Sequence, residues 1–341
     1  MAARRIDVLR MRIGSGPSIT NAVTRPNISF LHTSYGALRL RDSGGSFPSI
    51  IFTCDAPNVL EHYDAIFSLL SPSFRLICLE MPGFGFSYPS PTFDFSMRQY
   101  VDVAALLIER LDSGPVTVMF PCAWSYVAFQ LAAERPALIE RLIVTQCPCW
   151  DEEQAWSKRI DTNGMLRTPV IGQLLLAMNQ KRTADAWYSA ALPKGRAADD
   201  FAGPARTVLS NGGIFCLASL MQTWFHIKNP SFLVDQPTVV MWGGSDRTHR
   251  HSNPNSVLQY LKRGMVLTSP ELGHFPELEN PDSLKALLLN DKLWKGLKLK
   301  QTDPSLEGVS GNDDSSTNDV SDHSSRTVSI KGQRKPFVSH L

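Results

Sequence analysis

A cysteine stands where the sequence changes from a strand pattern to a helix pattern. Val116 to Phe120 is a short apolar run rich in β-branched residues, and from Ala123 the apolar residues recur at helical spacing. Cys122 therefore lies in a sharp strand-to-helix turn, which lifts a side chain above a sheet edge and points a helix N-terminus at it. Because a helix N-terminus favours a thiolate over a thiol, this position suits a cysteine nucleophile.

Strands and helices alternate on both sides of this turn. Short apolar runs typical of buried strands occur at 49–53, 74–79, 138–145, 237–242 and 265–268. Helical spacing or helix-capping residues mark 60–70, 96–111, 254–261 and 281–289. Two further strands, 28–31 and 37–40, precede the alternation. We therefore predict an α/β fold with a mostly parallel central sheet flanked by helices and joined by right-handed crossovers.

The alternation stops near Pro148 and resumes near residue 235. The stretch 148–234 shows helical segments broken by Pro and Gly, including 173–178, 184–191 and 215–225, so we predict a helical insertion there. The α/β core then comprises residues 29–147 and 235–297. Residues 1–28 form a loosely attached, Arg-rich arm, and residues 298–341 have the composition of a disordered tail whose role stays open.

Composition favours a globular protein with a small-molecule partner. The chain has 341 residues, 43% of them hydrophobic, and its formal net charge of +2 is too small to indicate nucleic acid or an anionic membrane. No apolar segment is long enough to span a bilayer, and the first residues lack a secretory signal. We expect a cytoplasmic protein, with organellar targeting by the Arg-rich N-terminus as the less favoured alternative. Oligomeric state stays open.

The sequence gives no sign of a cofactor or a metal. It contains no Rossmann fingerprint and no P-loop. Its six cysteines are scattered without a framework, which is typical of reduced thiols. His249 and His251 have no ligand-spaced cysteine or carboxylate beside them, so we interpret them as part of a solvated turn and expect no metal site.

Five stretches, taken in order, resemble the α/β-hydrolase family. They are Arg41-Asp-Ser-Gly-Gly45, Met81-Pro-Gly-Phe-Gly-Phe-Ser87, the turn at Cys122, Trp242-Gly-Gly-Ser-Asp246 and Gly273-His-Phe-Pro-Glu-Leu-Glu-Asn-Pro281. The resemblance covers about Ser29 to Leu289 and is to the cap-bearing branch of epoxide hydrolases, dehalogenases and C–C hydrolases. It implies that the helical insertion is a cap over the site. A shared fold does not by itself define the reaction.

The resemblance assigns a role to three residues. By position, Cys122 matches the nucleophile, Asp246 the orienting acid and His274 the base, in the chain order that this fold uses. A histidine within reach takes the thiol proton, and a carboxylate behind it holds the tautomer and offsets the imidazolium charge. Asp151, just past the strand that follows the turn, is a rival acid. The predicted activity is hydrolysis of, or acyl transfer from, a small ester, thioester or related acyl substrate.

The sequence departs from the family pattern around the nucleophile. Small residues usually flank the turn, but here those positions hold Phe120 and Trp124. Either these two side chains splay away or the turn relaxes, and we expect Phe120 to narrow the pocket. The family's His-Gly pair at the end of the first buried strand is replaced by Cys54-Asp55. We expect these four residues and Ala123 to form the oxyanion pocket, where a carboxylate at Asp55 is unfavourable unless it points away.

The sequence is compatible with two functions, because all three triad positions are filled but the residues around the nucleophile depart from the family pattern. The first is a cysteine-nucleophile hydrolase or acyltransferase, and the second is a catalytically silent protein of the same fold that binds a ligand or partner. The intact acid and histidine loops favour the enzyme. Epoxide opening and dehalogenation rank lower, because both use a carboxylate nucleophile in this branch and no Asp stands at the turn.

Overall fold

A computed structural model of the chain describes residues 6–7, 22–111, 114–196, 198–227, 230, 232–297 and 328–329. The strands are β1 (Ile28–Thr33), β2 (Gly36–Asp42), β3 (Ser49–Thr53), β4 (Arg75–Leu79), β5 (Phe84–Gly85), β6 (Tyr88–Pro89), β7 (Val116–Pro121), β8 (Ile139–Thr145), β9 (Ile214–Phe215), β10 (Thr238–Gly243), β11 (Gly264–Ser269) and β12 (Val328–Ser329). The helices are α1 (Asp64–Leu70), α2 (Met97–Leu111), α3 (Trp124–Glu134), α4 (Trp150–Ile160), α5 (Ile171–Ala191), α6 (Ala198–Ser210), α7 (Leu217–Trp224), α8 (Pro276–Glu279), α9 (Pro281–Leu288) and α10 (Asp291–Gly296).

Ten of these strands form one mixed, mostly parallel sheet. Its order is β1-β2-β4-β3-β7-β8-β10-β11-β12, with β6 beside β2. The hairpin β1–β2 and the pair β2–β4 are antiparallel, whereas all pairs from β4 to β12 are parallel. The carboxyl ends of β3, β7, β8 and β10 therefore meet at one edge, where an open parallel sheet places its ligand site. The predicted fold class is confirmed.

Helices cover both faces of the sheet, as the continuous apolar strands require. Every residue of β7 is buried. Val118 and Phe120 belong to the core cluster that includes α2 and α3, whereas Met119 belongs to the cluster that includes α1, α9 and α10. This alternation with a period of two anchors β7 in the middle of the sheet, so the turn that follows it starts from a rigid support.

Helices α4 to α7 lie in the chain between β8 and β10, in the stretch predicted as the helical insertion. The predicted helices 173–178 and 184–191 are one helix, α5, interrupted by a non-helical backbone conformation at Asn179. The predicted helix 254–261 is only a 3-10 turn, Ser256–Tyr260. The strand pair β5–β9 joins the insertion to the core loop after β4.

The two ends of the chain lie mostly outside the described residues. Asp7 is buried, and its carboxylate accepts a hydrogen bond from Ser219 Oγ at 2.6 Å, so residues 6–7 pack against α7 and are not loosely attached. Of the predicted disordered tail, the structure describes only β12, which pairs with β11. Within the described ranges, no helix combines the length and apolar character needed to cross a bilayer.

Candidate active site

The turn after β7 presents Cys122 in a strained conformation. Its φ of 47° lies in the left-handed region that residues other than glycine rarely adopt. The Cys122 backbone N–H donates to the Thr145 carbonyl at 2.7 Å, and its carbonyl accepts from Ser125 N at 3.0 Å. Helix α3 begins two residues later, at Trp124. The sharp strand-to-helix turn predicted from the sequence is present, and the Cys122 side chain lines a cavity.

The two aromatic residues at the small positions splay away from the turn. Phe120 is fully buried in the core. The indole N–H of Trp124 donates to the Cys54 carbonyl at 3.1 Å, and its ring packs edge-on against Tyr100. Asp55, Ala123 and Trp124 line the cavity, but Phe120 and Cys54 do not. The expectation that Phe120 narrows the pocket is wrong, because its side chain points into the sheet–helix core.

The Asp246 and His274 loops meet beside Cys122. His274 is fully buried, and its Nδ1 lies 2.6 Å from Asp246 Oδ2. The other Asp246 oxygen accepts from both the backbone N–H and the hydroxyl of Thr248, each at 2.8 Å. The loops can approach this closely because Gly243 has no side chain: a Cβ there would lie 1.8 Å from the Gly273 carbonyl oxygen. The carboxylate therefore fixes the imidazole with its Nε2 as the free nitrogen.

Gln146 supports the acid and was not predicted from the sequence. Its side-chain amide donates to Asp246 Oδ2 at 2.7 Å, and its carbonyl oxygen accepts from Gly243 N at 2.7 Å. It follows β8 directly and has a φ of 46°. Its position after a buried strand, one strand over from Cys122, is the signal that could have identified it.

Asp55 does not point away from the site. Its Oδ2 lies 3.1 Å from His274 Nε2, yet within the described chain neither atom has a hydrogen-bond partner, because the two are not aligned for a hydrogen bond. The structure therefore places a carboxylate beside the nitrogen that would take the thiol proton. A negative charge at Asp55 would therefore repel an oxyanion formed in this site, because the Asp55 side chain does not point away from it.

His249 is part of the site, which corrects the interpretation of this turn as solvated. It is 2% exposed, and its ring stacks on Trp156 with centroids 4.9 Å apart. On its other side lies His274, with ring centroids 5.4 Å apart. One ligand atom each of Cys122, His249 and His274 lies within 4.8 Å of the other two. His251 is exposed, as expected.

Asp151, the rival acid, is exposed in the first turn of α4. Asp246 and not Asp151 contacts the histidine.

Two glutamates near the site are buried without a partner. Glu153, two residues after Asp151, is fully buried, and neither of its oxygens has a hydrogen-bond partner among the residues described. Glu277 has the same two properties.

Burial and mutual attraction displace the pKa values of the triad. Burial by itself would lower the pKa of His274, but attraction to Asp246 and Cys122 and the hydrogen bond to Asp246 raise it well above its ordinary value. Burial likewise opposes ionisation of Asp246, yet the attraction to His274 and the hydrogen bonds it accepts hold the pKa of its carboxyl far below the usual range. The pair therefore favours an imidazolium–carboxylate state.

The surroundings of the thiol act in the opposite direction. Burial and repulsion from Asp55 and Glu153 raise the pKa of the Cys122 thiol, and His274 offsets only part of this. Burial also raises the pKa of Glu153 and of Glu277, each to about 8, and lowers the pKa of His249 to about 3. These surroundings therefore favour the thiol form of Cys122 over the thiolate.

A cavity of about 450 Å³ opens above Cys122. Helices α4, α5 and α7 of the insertion form much of its wall, which is largely apolar and aromatic. Its lining includes Phe84, Trp156, Trp187, Phe215, Leu220 and Phe225. Arg159 also lines it, and the Arg159 Nε and the indole N–H groups of Trp156 and Trp187 have no acceptor in the part of the chain described.

Strand order, the turn after β7 and the chain order of Cys122, Asp246 and His274 define a protein of the α/β-hydrolase class. The chain belongs to the alpha/beta hydrolase family, whose family model matches residues 43–287. The predicted family resemblance is confirmed, and at this level so is the expectation of a hydrolase.

Solved structures with the same fold include epoxide hydrolases. The chain is similar to an epoxide hydrolase from Bacillus megaterium with 16% identity and a TM-score of 0.63, covering 77% of this chain and 99% of that one. Epoxide hydrolase A from Mycobacterium thermoresistibile is 13% identical, with a TM-score of 0.64 and coverages of 81% and 100%. A hydrolase from Pseudomonas aeruginosa is 20% identical, with a TM-score of 0.62 and coverages of 78% and 98%. At these identities the likeness concerns the fold alone. A sequence search of curated proteins finds no match.

Proposed function

We propose that the protein hydrolyses a small ester, thioester or related acyl substrate, with Cys122 as nucleophile, His274 as base and Asp246 as the orienting acid. His274 takes the thiol proton as the sulfur attacks the acyl carbon. The imidazolium then protonates the departing alcohol or thiol, which leaves a thioester on Cys122. Water, deprotonated by His274, cleaves this thioester and restores the thiol.

One observation carries this proposal: His274 Nδ1 is paired with Asp246 at 2.6 Å, and a nitrogen of the same ring lies within 4.8 Å of the Cys122 sulfur. A buried thiol that was only a packing residue would not need a buried imidazole with a fixed tautomer beside it. The left-handed backbone of Cys122 supports the same view, because strain of this kind persists where surrounding structure maintains it and is concentrated at functional sites.

The cavity suits an apolar acyl group that carries a hydrogen-bond acceptor. Its aromatic wall would hold an aryl or short alkyl chain. The indole N–H groups of Trp156 and Trp187 and the Nε–H of Arg159 are available as donors to a substrate oxygen. Epoxide opening has less support, since no carboxylate occupies the turn position and Asp55 follows a different strand.

A second candidate is a catalytically silent protein that binds a ligand in this cavity. Asp55 favours it, because a carboxylate 3.1 Å from His274 Nε2 competes with the thiol for that nitrogen. It also brings negative charge close to a developing oxyanion.

A panel of nitrophenyl esters and acyl thioesters distinguishes the two. We expect turnover by the wild type that is lost in Cys122→Ala and in His274→Ala but is retained in Cys149→Ala, a matched change at another buried cysteine. Mass spectrometry of the quenched reaction should detect an acyl group on Cys122. Turnover that survives Cys122→Ala would exclude the proposed nucleophile, and ligand binding without turnover would favour the silent alternative.

A further inference from the structure

We propose that Cys122, His249 and His274 together bind a zinc-type cation. The sequence predicted no metal site, since His249 has no cysteine or carboxylate near it in the chain. The fold brings all three side chains together: all are buried, and one ligand atom of each lies within 4.8 Å of the others. Thiolate sulfur and imidazole nitrogen select zinc or similar borderline and soft cations over magnesium or calcium.

Both histidines are oriented as metal ligands usually are. His274 Nδ1 is held by Asp246 at 2.6 Å, and His249 Nδ1 is paired with Ser252 Oγ at 3.1 Å. In each ring Nε2 is therefore the nitrogen that is free to coordinate a cation, and both Nε2 atoms are buried without a hydrogen-bond partner among the described residues. An outer partner on one nitrogen that leaves the other free is the common arrangement around a bound metal, and it fixes the tautomer that can coordinate.

Asp55 is placed to complete the coordination. Its Oδ2 lies 3.1 Å from His274 Nε2 without hydrogen-bond alignment, and it too has no partner in the described chain. Two ligands of a tetrahedral zinc ion are roughly 3.3 Å apart, given zinc–nitrogen and zinc–oxygen bonds of about 2.0–2.1 Å. The existing separation therefore already matches one edge of such a site. The negative charges of the thiolate and of Asp55 would balance a divalent cation.

The ligand atoms of Cys122, His249 and His274 all lie within 4.8 Å of one another, and the edges of a tetrahedral zinc site, at roughly 3.3 Å for nitrogen and oxygen ligands, lie within this limit. Coordination would occupy both the sulfur of Cys122 and Nε2 of His274. If the proposed function holds, the cation is therefore a reversible inhibitor of hydrolysis. Binding itself does not depend on that function.

The test uses the whole protein, freed of metal with a chelator that is then removed, and titrated with cobalt(II) as a spectroscopic substitute for zinc. We expect the visible absorption of tetrahedral cobalt together with a thiolate-to-cobalt charge-transfer band, both displaced by zinc. The charge-transfer band should vanish in Cys122→Ser. Affinity should fall by more than about 100-fold in His249→Gln, and by roughly 10- to 100-fold in Ser252→Ala, which removes only the outer partner.

His251→Gln is the matched control, because it makes the same change at an exposed histidine two residues away and should leave the affinity unchanged. The inference is overturned if wild type gives no charge-transfer band. It is also overturned if the band survives Cys122→Ser and is lost in Cys54→Ser, which would assign it to the Cys54–Cys78 pair, whose sulfurs are 3.8 Å apart. Cobalt binding in a protein with no esterase activity would uphold this inference while the proposed function fails.

Discussion

The position of Asp55 decides how readily His274 can act as a base. The imidazole already carries Asp246 on Nδ1, and the Asp55 carboxylate beside Nε2 adds a second negative charge. Both favour the imidazolium, which cannot accept a proton. The same carboxylate repels the thiolate of Cys122. Asp55 therefore opposes the proposed reaction at both His274 and Cys122.

Replacing Asp55 with asparagine should make the site more active. Because the pKa of His274 is raised, wild-type kcat/KM should increase with pH through a value above about 6.5, as the imidazolium loses its proton. Asp55→Asn removes one charge facing His274 and Cys122, while Asp246, His249, Glu153 and Glu277 remain. We expect the rise to move to lower pH and activity at pH 7 to increase roughly 10-fold, or ~1.4 kcal/mol.

The measurement is a pH–rate profile with an activated ester in the presence of a chelator. Asp151→Asn, at an exposed position, serves as the control for loss of one negative charge. A profile that keeps its wild-type position after Asp55→Asn would show that Asp55 does not influence the base.

Asp246 should matter through orientation of the imidazole. Asp246→Asn keeps the size of the side chain but removes the charge and presents an amide where Nδ1–H must donate. We expect kcat to fall by roughly 10⁴-fold with a small change in KM, as the wrong tautomer predominates. Asp151→Asn, at the rival acid suggested by the sequence, should leave kcat unchanged. Equal losses in both variants would contradict the assignment of Asp246.

At the scale of elements, the turn between β7 and α3 places the Cys122 side chain at the cavity and holds its backbone in a strained conformation. A left-handed conformation costs an ordinary residue roughly 1–2 kcal/mol, and glycine avoids most of it. The flanking Phe120 and Trp124 do not relieve this strain, because Cys122 keeps its φ of 47°.

Two substitutions that both remove the thiol therefore separate strain from chemistry. Cys122→Gly should be more stable than Cys122→Ala by roughly 0.5–1 kcal/mol, since only alanine keeps the Cβ in the left-handed region. Both should lack activity. Urea unfolding followed by circular dichroism measures the difference. An alanine variant as stable as the glycine variant would mean that the turn relaxes when the thiol is absent.

The core elements could be predicted because their patterns are local. Continuous apolar runs at 49–53 and 116–120 give buried strands, and these appear as β3 and β7. The sequence predicts two helical segments, 173–178 and 184–191, and the structure joins them into the single helix α5 with a non-helical backbone conformation between them, at Asn179. The segment 254–261 has the composition of a helix, but it packs as a single 3-10 turn.

At the scale of the whole molecule, the surroundings of the triad could not be predicted. Cys122, Asp246 and His274 lie in recognisable loops, so their meeting follows from strand order. Glu153 and Trp156 reach the same site from α4 in the insertion, and nothing in the sequence around them fixes how that helix lies over the sheet. His249 follows Asp246 by three residues, yet only the three-dimensional path of its loop shows whether it faces solvent or His274.

The buried carboxyl groups of Glu153 and Glu277 make the stability of the whole protein depend on pH. Each has no hydrogen-bond partner among the described residues, and burial raises each pKa from 4.5 to about 8. Between these values the folded protein holds a proton that the unfolded chain has released. The stability contributed by these groups is therefore fully present below about pH 4.5 and is lost as the pH rises to about 8, where the folded state must ionise them.

Glu153→Gln should remove this penalty while keeping the shape of the side chain. We expect little change in the free energy of unfolding near pH 4.5 and a gain that grows with pH, reaching a few kcal/mol by pH 8 at about 1.4 kcal/mol per unit of displaced pKa. Urea unfolding at several pH values measures it, with Glu271→Gln at an exposed position as the control. A gain of the same size at every pH would contradict this prediction. It would mean that the pKa of Glu153 is the same in the folded protein as in the unfolded chain, and therefore that burial does not raise it.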